Sequence, residues 1–166
     1  LDRAEQQARI ALTDSLTGLA NRYALDRDLV RLPADGSLTF IDLDSLKRYN
    51  DEFGHARGDE LLCGFARHLA KALEGRGTAY RLAGDEFAVT CPGGDEDFVA
   101  DAIARAIRAL EADGFRFAGA SHGSARRRET DTLDQLKRAA DHRMYQQKTA
   151  RKSAAQAAQA AQRRAG

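Results

Sequence analysis

Residues 79–91 read Ala79-Tyr80-Arg81-Leu82-Ala83-Gly84-Asp85-Glu86-Phe87-Ala88-Val89-Thr90-Cys91. Two short, mostly apolar runs flank a polar turn that contains a glycine. This pattern predicts a β-hairpin with strands at 79–82 and 86–91 around Ala83-Gly84-Asp85. The turn then sets Asp85 and Glu86 at one end of a sheet.

Upstream, Leu38-Thr39-Phe40-Ile41-Asp42 is a second strand candidate that delivers an aspartate at its end. If that strand neighbours the hairpin, Asp42, Asp85 and Glu86 converge on one edge. Carboxylates gathered at strand ends, with cations nearby, suit metal and phosphate chemistry. A solvated acidic turn is the competing reading of these residues taken alone.

Helices separate the strands. In the segment 58–74, Leu62, Phe65, Leu69 and Leu73 fall at i, i+3, i+7 and i+11, and Gly75 and Gly77 end it. A second helix is predicted at 96–112, with Val99, Ile103, Ile107 and Leu110 on one side. A shorter one is predicted around 21–31, and a last one from about 131 with Leu133, Leu136, Ala140 and Met144 aligned. Phe115 to Ser121 reads as a further strand. Strands alternating with helices, plus one hairpin, give an α/β fold with a mixed central sheet flanked by helices.

The ends differ from this body. Residues 1–12 are all helix formers with a thin apolar stripe, read as the end of an upstream signalling helix, with the globular domain at 13–152. From 153 the Ala/Gln-rich tail is helix-prone with almost no apolar face and is expected to fray.

The chain of 166 residues is 43% hydrophobic and 31% charged, enough to build one core and too apolar for general disorder. No apolar run approaches the roughly 18 residues of a membrane span. This piece is therefore read as soluble; the expected location is cytoplasmic, as an output domain of a longer protein that opens elsewhere than Leu1 and whose membrane attachment stays open. Bulk charge is nearly balanced and names no polyanion such as DNA or RNA as a partner. Its distribution is uneven: residues before 148 carry a net −4, and Lys148, Arg151, Lys152, Arg163 and Arg164 carry +5. Cys63 and Cys91 lack metal spacing and read as small core residues.

The run FIDLDSLKRYNDEFGHARGDELL, followed by RLAGDEF, SHGSA and AADHRMYQQK, occurs in the order and spacing of the GGDEF family, the diguanylate cyclase domains. DSLTGLANR at 14–22 resembles the family's usual opening, so the likeness covers about residues 12–150 and implies the nucleotidyl-cyclase, palm-like fold. The activity it implies is condensation of two GTP into cyclic di-GMP and two pyrophosphates at a homodimer interface, under control of an upstream sensory or coiled-coil region. The implied cofactor is Mg²⁺, two ions per GTP site, with Mn²⁺ as a substitute.

Residue by residue, the resemblance assigns the metal to Asp42, the Leu43 carbonyl and Asp85. It gives Glu86 a second acidic role, either on the metal or in deprotonating the 3′-hydroxyl. Asn50 and Asp59 match the guanine-selecting positions, because a carboxylate accepts the N1–H and N2–H₂ pair that adenine lacks. Lys47 and Lys148 match phosphate-binding lysines. Lys152 stands where the family usually has arginine, keeping the charge without the bidentate fork. His55 matches a position that shapes the loop between Asn50 and Asp59.

Three features depart from the pattern or imitate it. The literal string Gly93-Gly94-Asp95-Glu96 follows the signature closely, but it opens a helix, so Ala83–Phe87 is taken as the signature. Ala83 replaces its first glycine, which would cost about 1 kcal/mol or more if that residue needed a positive φ. This substitution keeps a second reading open, a GTP-binding regulatory module without turnover. Glu74 and Gly77 stand where many family members carry the arginine and aspartate of an RxxD product-binding motif.

Overall fold

The computed structural model describes residues 1–166. Its elements in chain order are α1 (Arg3–Leu12), α2 (Arg22–Leu29), β1 (Ser37–Asp44), α3 (Leu46–Phe53), α4 (His55–Ala72), β2 (Thr78–Ala83), β3 (Glu86–Cys91), α5 (Glu96–Ala112), β4 (Gly119–Arg126) and α6 (Leu133–Ala165). A single 3₁₀ turn, Arg127–Glu129, links the last two.

The four strands form one sheet in the order β2-β3-β1-β4. All three pairings are antiparallel, so the expected mixed sheet is antiparallel in its strands; the parallel element is a lone bridge between Ala20 and Tyr80. The β1-helix-β2-β3-helix-β4 order is a split βαβ arrangement, in which the hairpin partner β3 inserts between β1 and β2.

Strand alternation sends side chains to two helical layers. Ile41, Leu43, Phe87 and Val89 pack under α4 and α5 with Leu61, Phe65, Leu69, Val99, Ile103 and Leu110. Leu38, Tyr80, Ala88 and Ala125 pack under α2 and α6 with Leu25, Leu29, Leu136 and Ala140. Phe65 meets Phe87 edge to face at 4.9 Å, the favoured aromatic geometry. No helix is long and apolar enough to cross a membrane.

Two further expectations change, and the tail takes a definite form. The strand read at 115–121 lies at 119–126. Phe115 supplied the apolar signal, yet it enters the core from the turn before the strand. β4 itself is small and polar because α6 lies directly on it: a Cβ at Gly123 would come within 2.0 Å of the Met144 backbone nitrogen. Next, α3 precedes α4, which starts at His55 rather than 58; only Tyr49 of α3 is buried, so it carries no apolar period. Finally, the tail read as helix-prone is helical to Ala165, continuous with α6 and exposed. Alanine's helix propensity and the absence of any breaker account for this.

α6 also seals the free edge of the sheet. The register with β1 turns the N–H and C=O groups of residues 120, 122, 124 and 126 outward. Arg151 donates to the Ala120 carbonyl, Gln147 Oε1 accepts from the His122 N–H at 2.7 Å, and Arg143 donates to the Ser124 carbonyl at 2.6 Å. Arg143, Gln147 and Arg151 recur every four residues, one stripe of the helix. Glu129 accepts from the Arg126 N–H at 2.9 Å and completes the cover.

Candidate active site

Asp42 and Asp44 lie two residues apart near the end of β1 and face α6. The hairpin turn brings Asp85 beside them, because the Leu43 N–H donates to the Asp85 carbonyl at 2.9 Å. Alternation leaves the Leu43 carbonyl on the same side, towards the turn, while the Leu43 side chain is buried in the core. Arg81 clamps the turn: its Nε and Nη2 donate to the Gly84 carbonyl at 3.1 and 3.0 Å, and its Nη1 reaches Asp14 at 3.1 Å.

Gly84 holds the turn's left-handed position at φ +47°, whereas Ala83 is not among the residues of positive φ. The alanine in the signature therefore carries no backbone strain. Ser45, immediately after Asp44, does adopt a left-handed conformation at φ +73° and redirects the chain into α3.

Asp42, Leu43, Asp44, Ser45, Lys47, Asp85, Ser121, Lys148, Arg151, Lys152 and Ala155 line a cleft of about 560 Å³. Lys148 Nζ lies 2.6 Å from Asp42 Oδ2, and Arg151 Nη2 lies 2.9 Å from Asp44 Oδ2. Burial, with the neighbouring Asp42 charge, pushes Asp85 above the ordinary aspartate value. Asp44 is also pushed up by burial, although Arg151 opposes the shift. The hydrogen bond to Asp42 raises Lys148.

This donor set fits a hard divalent cation that keeps part of its own shell. No three His, Cys, Asp or Glu side chains converge to cage an ion by themselves. Mg²⁺ characteristically takes one or two carboxylates and completes its octahedron with waters and substrate phosphate. The Ser121 hydroxyl, buried in the wall of the cleft without a hydrogen-bond partner, offers a further polar contact for such a shell.

Of the residues singled out in the sequence, Asp42, Leu43, Asp85, Lys47, Lys148 and Lys152 share this cleft. Lys47 sits at its rim, exposed and tied to Asp51 at 2.7 Å. Glu86 is paired in register with Asp42 but lines the neighbouring pocket between α2 and α6, with Arg22 3.8 Å away. Asn50 and Asp59 sit apart from the cleft lining, at the α3–α4 junction with His55. Gly58 is required there: a Cβ would come within 1.8 Å of Asn50 Oδ1. Gly93-Gly94-Asp95-Glu96 is indeed a helix start, since Asp95 caps α5 by accepting from the Phe98 N–H at 2.9 Å.

Asp44, Ser121 and Arg151 escaped the sequence reading. Asp44 carried a signal, the two-residue spacing from Asp42. Ser121 and Arg151 join the cleft only through the β1–β4 register and the continuation of α6.

The profile described as "Diguanylate cyclase, GGDEF domain" matches residues 11–154. Diguanylate cyclase VdcA of Vibrio cholerae is 35% identical over 159 residues, 87% of this chain and 47% of that protein. Probable diguanylate cyclase DgcI of Escherichia coli is 36% identical over 140 residues, covering 83% of this chain and 31% of that protein. The chain thus spans less than half the length of these curated relatives. Among solved structures, the coiled coil and GGDEF domain of DgcB from Caulobacter crescentus, in complex with c-di-GMP, superposes with a TM-score of 0.76 at 28% identity, over 89% of this chain and 85% of that one. A sensory box/GGDEF family protein from the same species gives a TM-score of 0.68 at 36% identity, over 84% and 99%. With a profile match across most of its residues and a common fold, the chain belongs to the diguanylate cyclase GGDEF domain family.

Proposed function

We propose that this chain is a catalytically competent diguanylate cyclase domain that converts two GTP into cyclic di-GMP and two pyrophosphates. The observation that carries the reading is the meeting of Asp42, Asp85 and Lys148 around one cleft at the end of β1 and the hairpin. Asp42, Asp85 and the Leu43 carbonyl would hold two Mg²⁺ ions. When bound, such ions lower the pKa of an attacking hydroxyl and offset phosphate charge.

The chain's own residues supply the rest. Lys148 and Lys152, from α6, and Lys47, from α3, present positive charge to the triphosphate. Asn50 and Asp59 accept and orient guanine, and His55 shapes the loop between them. Asp85 or Glu86 takes the proton of the 3′-hydroxyl. That oxygen attacks the α-phosphate of the GTP on a facing copy, the bond to the β-phosphate breaks, and pyrophosphate leaves. Two such attacks close the ring, so the active species is a homodimer. Residues 1–12 would connect the domain, 13–152, to an upstream regulatory helix. Ala83 is the sign of the alternative reading, a GTP-binding module without turnover; its lack of a positive φ removes the strain part of that argument and supports the competent one.

The test is incubation with GTP and Mg²⁺ over a range of protein concentrations, with products separated by chromatography. Cyclic di-GMP should form at a rate that rises more steeply than protein concentration. Absence of product at high concentration would sink the proposal.

A further inference from the structure

Ser121 is the one buried side chain of the cleft whose polar atom has nothing to bond to. It is fully buried in β4, pairs in register with Asp42, and lies on the same face of the sheet. Facing side chains in such a pair have Cβ atoms about 5 Å apart, near enough for a hydroxyl to reach the neighbouring carboxylate directly or through one water. Asp42 Oδ2 is already taken by Lys148, and Ser121 is left without a partner.

A buried hydroxyl without a hydrogen bond destabilises a fold, because its desolvation is not offset. Alanine would serve β4 better here, since its neighbours Ala120 and Ala125 are also small and buried. The hydroxyl is accounted for if it acts in the loaded cleft. We infer that Ser121 is a positioning residue for the divalent cation: its Oγ accepts from a cation-bound water and donates to Asp42, fixing that carboxylate once Lys148 gives it up. This inference rests on the reading of the Asp42–Asp85 cleft as the cation site. Outer hydrogen-bonding partners of metal ligands typically contribute about 10–100-fold in metal affinity.

Ser37 supplies an internal control. Its hydroxyl is likewise buried and unpartnered, but it stands at the other end of β1, paired in register with Cys91 and Arg126 and away from the cleft.

The experiment is a Mg²⁺ titration of the ligand-free domain, read by thermal melting and by competition with Mn²⁺ followed by electron paramagnetic resonance. Ser121→Ala should leave the ion-free midpoint unchanged or higher, yet weaken Mg²⁺ and Mn²⁺ about 10–100-fold. Ser37→Ala should behave alike without ions and bind them as the native chain does. Should Ser121→Ala fail to fold, Ser121→Cys fills the site with a poor hydrogen-bonding group and carries the same expectation. Ion titrations of the Ser121 variants that superpose on the native curve overturn the inference. A native domain that shows no saturable response to either ion overturns the cleft reading itself, and the inference with it.

Discussion

Lys148 Nζ and Asp42 Oδ2 stand 2.6 Å apart, joining the middle of α6 to the acid at the end of β1. The lysine is a third exposed and the carboxylate mostly buried, so the pair is only partly screened. In the ligand-free domain it pairs with Asp42; the proposed function requires the same ammonium to turn towards phosphate. Lys148→Ala is expected to raise the KM for GTP about tenfold to a hundredfold, the range of a charge-assisted hydrogen bond, and to lower stability by about 1 kcal/mol. Steady-state kinetics and melting check both. The hydrogen bond holds Lys148 above the ordinary lysine value. Its stabilisation is therefore complete below about pH 10.4 and is lost only as pH rises through the raised folded value. Between pH 6 and pH 9 this pair should give no pH dependence of stability.

Asp85→Asn is expected to have two opposite effects. Turnover should vanish, because the proposed cation loses a charged ligand. The ligand-free domain should become more stable at neutral pH. Burial and the Asp42 charge raise this carboxyl above 3.8, so the folded state holds its proton more tightly than the unfolded one. The native chain then loses stability as pH rises through a window starting near 3.8 and extending above it, and Asn removes that slope. Denaturant melts between pH 3.5 and pH 7 measure it. A variant with full activity would move the cation to Glu86.

What the sequence made legible follows from what each element buries. The hairpin, α4 and α5 were readable because Phe87, Leu69 and Ile103 repeat with the period of their own element and face one core. β4 was misplaced because its packing partner is the backbone of α6, which selects Gly123 rather than an apolar side chain. α3 was unreadable by period because it rests on Tyr49 alone. In the cleft, Asp42 and Asp85 could be found from strand ends. Ser121 could not, since its place depends on a register across 79 residues of sequence. The Asp44–Arg151 pair depends in the same way on α6 running straight past Lys148.

The second acidic string tests whether the signature is placed correctly. Asp95 accepts from the Phe98 N–H, and also meets Arg76 at 3.2 Å. The first of these bonds dominates in holding its carboxyl below the ordinary value. Its contribution to stability is present above pH 3.8 and fades as pH falls through the lowered folded value. Asp95→Ala is expected to lower the melting temperature at pH 7 while leaving kcat and KM within about twofold, because an N-cap contributes stability without touching the cleft. A loss of turnover with the fold intact would relocate the signature.

Gln147 tests the edge seal. Its Oε1 accepts from the His122 N–H, which would otherwise face outward from an edge strand. Gln147→Ala is expected to speed hydrogen exchange at the His122 amide about three- to tenfold, the loss of one net hydrogen bond. Ser121, whose amide points inward to β1, should keep its protection. Equal changes at both residues would mean that the substitution loosens the whole strand rather than its edge.

Product is expected to act only at the substrate site. The positions that match the family's RxxD motif are Glu74 and Gly77. Glu74 faces Arg105 at 3.5 Å, and Arg76, the nearest cation in sequence, is held between Asp95 at 3.2 Å and the Phe98 ring at 3.7 Å. A cyclic dinucleotide carries two phosphates. A glutamate repels them, and an arginine already paired and stacked must break both contacts before it can clamp one. Arg81 is likewise committed to Asp14 and the Gly84 carbonyl. Inhibition by cyclic di-GMP should therefore be competitive with GTP, through product in the half-site, and leave the maximal rate unchanged. Initial rates at several product concentrations decide the point. A fall in maximal rate at constant KM, abolished by Arg76→Ala or Arg81→Ala, would reveal an inhibitory site built on those arginines after all.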